Sequence, residues 1–156
     1  MLKQSATLAA ALLGSALLMQ PSLTAAAQWF SFNSSAYGQL LADKDSVVKS
    51  GDSVKLWAVQ APLKLNPGQA VYSKVLYAFN CHEHQYQVFQ VTSYDRDGQS
   101  SDLVLDSAVK NVIPDSREDS LEQFACKPAN GWWTPVSHVP ESLAARVRAA
   151  KEGFFD

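Results

Sequence analysis

Two cysteines, Cys81 and Cys126, constrain the fold of this chain more than any other feature. Two cysteines allow a single intramolecular pairing, and in an oxidising compartment an even count favours a disulfide. In the chain-entropy model a closed loop of about 46 residues contributes roughly 4 kcal/mol. That is a large share of the stability expected of a small domain. The alternative is two separate buried thiols.

The N-terminus predicts an oxidising destination. Lys3 gives it a basic start, an apolar run follows over residues 8–19, and small residues occupy positions 24–27. These are the three parts of a secretory signal peptide. The apolar run has about 12 residues, whereas a membrane span needs roughly 20, so we expect cleavage after Ala27. The alternative is a buried N-terminal helix. No cysteine lies near the cut, so no lipid anchor is expected.

Size and charge limit the class of protein. Removing residues 1–27 from 156 leaves 129, enough for one domain. Removing Lys3 from the 13 basic residues leaves 12 against 15 acidic ones, a formal charge of −3. A nucleic-acid binder would usually show a basic face, and no second apolar stretch is long enough to span a membrane. We therefore expect neither a nucleic-acid partner nor a stable membrane span.

Runs of β-branched and aromatic residues, separated by turn residues, predict about six strands. They cover residues 29–32, 37–42, 54–60, 71–81, 85–94 and 99–105. In the fourth run, alternate residues from Val75 to Cys81 share one face, so Cys81 points inward with the aromatic side chains. Asp97-Gly98 predicts a hairpin turn, because this pair tolerates a positive φ.

A short helix is predicted to end at Cys126. Ser116 has the side chain of an N-cap, with Asp119 three residues further on. One helical stripe is apolar and would dock on the sheet; it contains Leu121, Phe124 and Ala125. A disulfide from Cys126 would then hold this helix against the strand that carries Cys81.

Residues 127–156 form a predicted extension that contains a loop and a second helix. Trp132 and Trp133 are adjacent in a loop rich in proline and glycine. Either one packs on the sheet while the other contacts a partner, as aromatic anchors do, or both cover the sheet edge. The helix, over residues 141–152, has an apolar face formed by Leu143, Val147 and Ala150. This face packs on the domain or contacts a second copy in a homodimer.

Catalytic and metal-binding patterns are weak. His82 and His84 are two positions apart at a strand end, a spacing that suits a surface metal or haem contact. A third ligand is missing, because His138 lies in a distant loop, and solvated histidines are the alternative. No serine lies in a Gly-x-Ser-x-Gly turn, and no acid has a telling spacing from a histidine. We therefore expect no catalytic residues, no metal and no cofactor.

Six sequence elements occur in an order that resembles a known family. They are Trp29, Ala-Asp-x-Asp-Ser-Val at 42–47, Gly-Asp-x-Val-x-Leu-Trp at 51–57, Phe-Asn-Cys at 79–81, Ser-Tyr-Asp-x-Asp-Gly at 93–98, and Ile-Pro-Asp-Ser at 113–116 before a helix that ends in Cys126. Together they resemble the surface-adhesin protein E family of Gram-negative envelope proteins, over about residues 29–126.

The resemblance implies a fold and two functions. The fold is an α+β, mainly β domain over residues 28–126, in which a helix is tied by a disulfide to a twisted antiparallel sheet. The resemblance implies nothing for residues 127–156, whose terminal helix is predicted from the sequence pattern alone. The first function is non-enzymatic binding of host matrix or serum proteins. The related neisserial adhesin complex proteins imply lysozyme inhibition as a second. A third hypothesis does not rest on the resemblance: a periplasmic structural or assembly factor that uses the extension. All three require export to the periplasm, the cell surface or the medium.

Overall fold

An antiparallel sheet forms the body of the protein in the computed structural model, which describes residues 27–34, 38–127 and 133–155. Within these residues the sheet has nine strands: β1 Trp29–Ser34, β2 Gly38–Asp43, β3 Val48–Ser50, β4 Ser53–Ala61, β5 Tyr72–Asn80, β6 Gln85–Tyr94, β7 Ser100–Val104, β8 Lys110–Asn111 and β9 Thr134–Val136. There are also a 3-10 turn, Lys44–Ser46, and two α-helices, α1 Arg117–Cys126 and α2 Val139–Lys151. The mainly β class with a terminal extra helix is confirmed.

The strands follow the order β7-β6-β5-β4-β2-β1-β9, with β3 added beside β4 and β8 beside β6. Six of them correspond to the six predicted strands. The three additional strands have two or three residues each, too few for alternation to distinguish them from loops. The predicted turn at Gly98 is confirmed: Gly98 has a φ of 77°, and the Asp95 carboxylate accepts hydrogen bonds from the amides of Asp97 and Gln99.

Each helix covers one face of the sheet. Leu121 and Ala125 of α1 pack with strand side chains that alternate along β2, β4 and β5. We call this side the α1 face. Leu143 and Ala150 of α2 pack on the opposite side, the α2 face, against Leu41, Val59 and other apolar side chains. Because strand side chains alternate between faces, neighbours such as Leu40 and Leu41 are both buried, one beneath each helix.

The predicted disulfide joins the α1 face to its helix. Cys81 and Cys126 are bonded, with their Cα atoms 5.7 Å apart. Cys81 lies one residue beyond β5, in a turn, where its amide donates to the carbonyl of Asp52 at 2.9 Å. The predicted N-cap is also confirmed, because the Ser116 hydroxyl accepts from the amide of Asp119 at 3.1 Å. The helix is thus fixed at one end by a cap and at the other by a covalent bond.

The second helix packs back on its own domain, which is one of the two predicted arrangements. It begins at Val139, two residues earlier than expected, because Pro140 suits the first turn of a helix. Arg146 donates hydrogen bonds to the carbonyls of Val71 and Pro62. Its guanidinium also lies 4.2 Å from the ring centroid of Phe155. Residues 133–155 are therefore built into the same fold as the sheet.

Two sequence predictions fall on other parts of the chain. Residues 1–26 of the predicted signal peptide, which covers residues 1–27, and the side chain of Trp132 lie outside the described residues. Neither described helix has the length and apolar character needed to cross a membrane.

Candidate binding surface

An open apolar groove lies on the α1 face, between β1, α1 and the start of β9. Its volume is about 370 Å³. We call it the aromatic groove. Its described lining consists of Phe30, Lys44, Val47, Lys49, Phe124, Ala125 and Trp133. Ligand pockets typically measure about 300–1,000 Å³, so the groove has room for one large side chain.

Three aromatic rings line the groove. Phe30 comes from β1 and Phe124 from α1, and their ring centroids are 5.5 Å apart. Trp133 precedes β9 and contacts Phe124 at 4.8 Å and Phe32 at 5.4 Å. Such ring pairs are favourable at centroid distances of about 4.5–7 Å. The pairing of β9 with β1 brings the tryptophan to this position.

Trp133 is a wall of the groove rather than a projecting side chain. Only 9% of its surface is exposed. It therefore packs on the sheet, as both predicted arrangements require of at least one tryptophan. Since Trp132 lies outside the described residues, a partner contact by this pair stays a prediction.

Two lysines stand at the rim. The backbone of Lys44 is anchored, because its amide donates to the carbonyl of Gln28 at 2.8 Å. Its ammonium lies 5.8 Å from the ring centroid of Phe30, within the reach of a cation–π contact. Lys49 is exposed on β3. Among residues 27–34, 38–127 and 133–155, neither lysine forms an ion pair.

The acidic neighbours of Lys44 are engaged by backbone amides of the same region. The Asp43 carboxylate accepts from the amide of Asp45 at 3.1 Å. The Asp45 carboxylate accepts from the amide of Gln28, also at 3.1 Å. Burial raises the pKa of Asp43 above its usual value, against the effect of that hydrogen bond. Neither carboxylate lines the groove, so the charged groups among its described lining are both cationic.

A second cavity, which we call the tyrosine cleft, lies on the same face of the sheet, between the start of α1 and the strands β5 and β6. Its volume is about 350 Å³. The Tyr77 hydroxyl accepts from the Gln60 amide at 2.5 Å and donates to Glu118 at 3.4 Å. The Arg117 guanidinium donates a hydrogen bond to the side-chain amide oxygen of Gln60 at 2.7 Å. Burial, and next the Glu118 carboxylate, raise the pKa of Tyr77. Gln60, Tyr77, Arg117 and Glu118 thus form one connected hydrogen-bond network in this cleft.

The tyrosine cleft is absent from the sequence predictions. Gln60 and Arg117 are 57 positions apart and meet only because α1 docks on β4. The sequence contains one weak signal for this cleft: Arg117 and Glu118 directly follow the N-cap and therefore lie in the first turn of α1.

His82 and His84 each contact a different acidic residue. The strand ends at Asn80, so His82 and His84 lie in a turn and the strand alternation assumed from the sequence does not apply. His82 contacts Glu83 at 2.8 Å, and this hydrogen bond raises the pKa of His82. His84 contacts the buried Glu122 at 3.2 Å. Within the described part of the chain, no three His, Cys, Asp or Glu side chains gather as metal ligands.

The described residues thus form a mainly β domain in which a disulfide ties a helix to an antiparallel sheet and an aromatic groove opens on one face. A family model described as surface-adhesin protein E matches residues 29–127. The chain therefore belongs to the surface-adhesin protein E family, and the resemblance found in the sequence is confirmed. Membership indicates an exported or cell-surface protein. The match ends close to Cys126, so β9 and α2 lie beyond it.

Two solved structures of protein E from Haemophilus influenzae are similar to this chain. One shares 15% identity at a TM-score of 0.46, over 63% of this chain and 84% of that chain. The other, from a non-typeable strain, shares 16% identity at a TM-score of 0.40, over 71% and 82%. Both similarities are too distant to indicate a function. Comparison with curated proteins found no match.

Proposed function

We propose that this chain is an exported, non-enzymatic adhesin of a Gram-negative envelope that binds a host matrix or serum protein through the aromatic groove. The observation that carries the proposal is the family match over residues 29–127. The groove supplies what a protein contact needs, because aromatic side chains in a partly enclosed pocket are the usual anchors of protein interfaces. Residues 1–27 act as the export signal, and the disulfide suits an oxidising destination.

The direct test is binding of the purified, exported protein to immobilised matrix and serum proteins, with lysozyme in the same panel. We expect one matrix or serum protein to bind at micromolar concentration or tighter. No binding across the panel at that concentration would contradict the proposal, and inhibition of lysozyme activity without matrix or serum binding would replace it.

Two matched valine variants locate the contact. Val47→Asp places a charge in the groove, whereas Val104→Asp changes an exposed residue on β7, at the other end of the sheet. We expect the first variant to lose binding at least tenfold and the second to bind like the parent protein. Equal effects of the two variants would move the contact away from the groove.

The side of the outer membrane is tested separately by protease treatment of intact cells. An adhesin must be accessible to added protease, so we expect its digestion. Protection in intact cells, with digestion after the outer membrane is opened, would leave the periplasmic structural role in its place.

A further inference from the structure

We propose that the aromatic groove recognises an acidic peptide segment that carries one large apolar side chain. The apolar side chain enters the groove, and flanking carboxylates meet Lys44 and Lys49 at the rim. This inference rests on the proposed protein-binding function and specifies the chemistry of the partner.

The apolar lining of the groove selects for an apolar anchor. The rings of Phe30, Phe124 and Trp133 line the groove, and Ala125 adds a small apolar patch. At about 370 Å³ the groove lies at the small end of the range of ligand pockets, about 300–1,000 Å³, and has room for one aromatic or long aliphatic side chain. A single apolar side chain of a peptide therefore fits the groove.

The rim selects for negative charge. Lys44 and Lys49 come from different elements, the 3-10 turn and β3, and both line the same opening. The carboxylates adjacent to Lys44, those of Asp43 and Asp45, accept hydrogen bonds from backbone amides instead of pairing with this lysine. Among the described residues neither lysine forms an ion pair, and the Lys44 ammonium lies over the ring of Phe30, so both ammonium groups can pair with carboxylates of a partner. Carboxylates on either side of the apolar anchor would complement them.

Peptide titration of the ¹⁵N-labelled exported protein tests this recognition. Three blocked peptides are compared: Gly-Glu-Phe-Glu-Gly, the same peptide with both Glu replaced by Lys, and the same peptide with Phe replaced by Ala. Dissociation constants come from amide and indole shifts, and the indole N–H of Trp133 reports occupancy of the groove. We expect the acidic aromatic peptide to bind about tenfold tighter than the alanine peptide, as burial of an aromatic side chain requires.

A charge reversal separates the lysines from general electrostatics. In Lys44→Glu/Lys49→Glu the preference should invert, so that the basic peptide binds more tightly than the acidic one. The control Lys64→Glu/Lys110→Glu changes net charge equally at exposed residues outside the groove, and it should keep the parent preference. Each rim lysine should contribute about two- to fivefold to the affinity for the acidic peptide, the range of an exposed ion pair.

The outcomes distinguish this inference from the proposed function. The inference is overturned if none of the peptides binds, if the acidic and basic peptides bind equally, or if the control variant inverts the preference as well. The proposed function is judged only by binding of a matrix or serum protein. If such binding occurs and Lys44→Glu/Lys49→Glu leaves it intact, the adhesin function stands and the acidic-peptide chemistry falls.

Discussion

Replacing both cysteines in Cys81→Ala/Cys126→Ala removes the covalent tie between the turn after β5 and the end of α1. The two residues are separated by 45 positions, and the chain-entropy relation assigns a loop of that length about 4 kcal/mol at 25 °C. Both side chains are only partly buried, so lost packing adds little. We expect the free energy of unfolding to fall by about 4 kcal/mol, a large part of the roughly 5–15 kcal/mol that holds a small domain together.

Urea unfolding followed by tryptophan fluorescence measures this change. The midpoint should fall, and the slope of free energy against urea should rise, because the uncrosslinked denatured chain exposes more surface. Wild-type protein kept reduced is the matched control and should coincide with the double variant. Hydrogen exchange should be faster in α1 than in β4 once the bridge is gone. A loss below about 1 kcal/mol, or an unchanged slope, would refute the chain-entropy reasoning.

Three further predictions concern the capped helix, the extension and one surface ion pair. Ser116→Ala removes the side-chain cap of α1 and should lower stability by about 1 kcal/mol in urea unfolding, whereas Ser101→Ala on the exposed β7 should leave it unchanged. Removal of residues 128–156 uncovers the α2 face and leaves β1 without its outer partner, so size-exclusion chromatography should show aggregates; a folded monomer would contradict this. The hydrogen bond from Lys151 lowers the pKa of Asp97, so the contact contributes above the usual aspartate pKa and is lost as the pH falls through the lowered one. In Lys151→Gln, an NMR titration should find the pKa of Asp97 raised back toward its ordinary value.

The long strands and α1 are predictable from the sequence because their local signals agree with the final fold. Val54, Leu56 and Ala58 alternate with less buried residues, and all three are buried on the α1 face. The cap at Ser116 fixes the start of α1 by itself. The strands β3, β8 and β9 carry no such pattern, since strands this short exist only because a longer neighbour pairs with them.

The aromatic groove is only partly predictable. Trp133 stands out in the sequence as one of a tryptophan pair and Phe124 as part of the apolar stripe of α1, but nothing in the sequence brings these two residues together with Phe30. They meet because α1 docks over β2 and β4 while β9 pairs with β1. The placement of α2 has the same origin. As a sequence pattern, the apolar face of the helix α2 suits contact with its own sheet and contact with a second copy equally well. The choice depends on the α2 face of the sheet, whose apolar side chains are covered only when this helix packs on them.

The pairing of β9 with β1 has a consequence for the order in which the molecule is completed. β1 begins at Trp29, whereas its outer partner begins at Thr134. Because the chain is made from its N-terminus, one edge of β1 stays unpaired until the residues of β9 have been made. Trp133, which lines the groove, is made immediately before β9. A chain cut short before β9 would therefore carry an unpaired β1 edge and an aromatic groove that lacks Trp133.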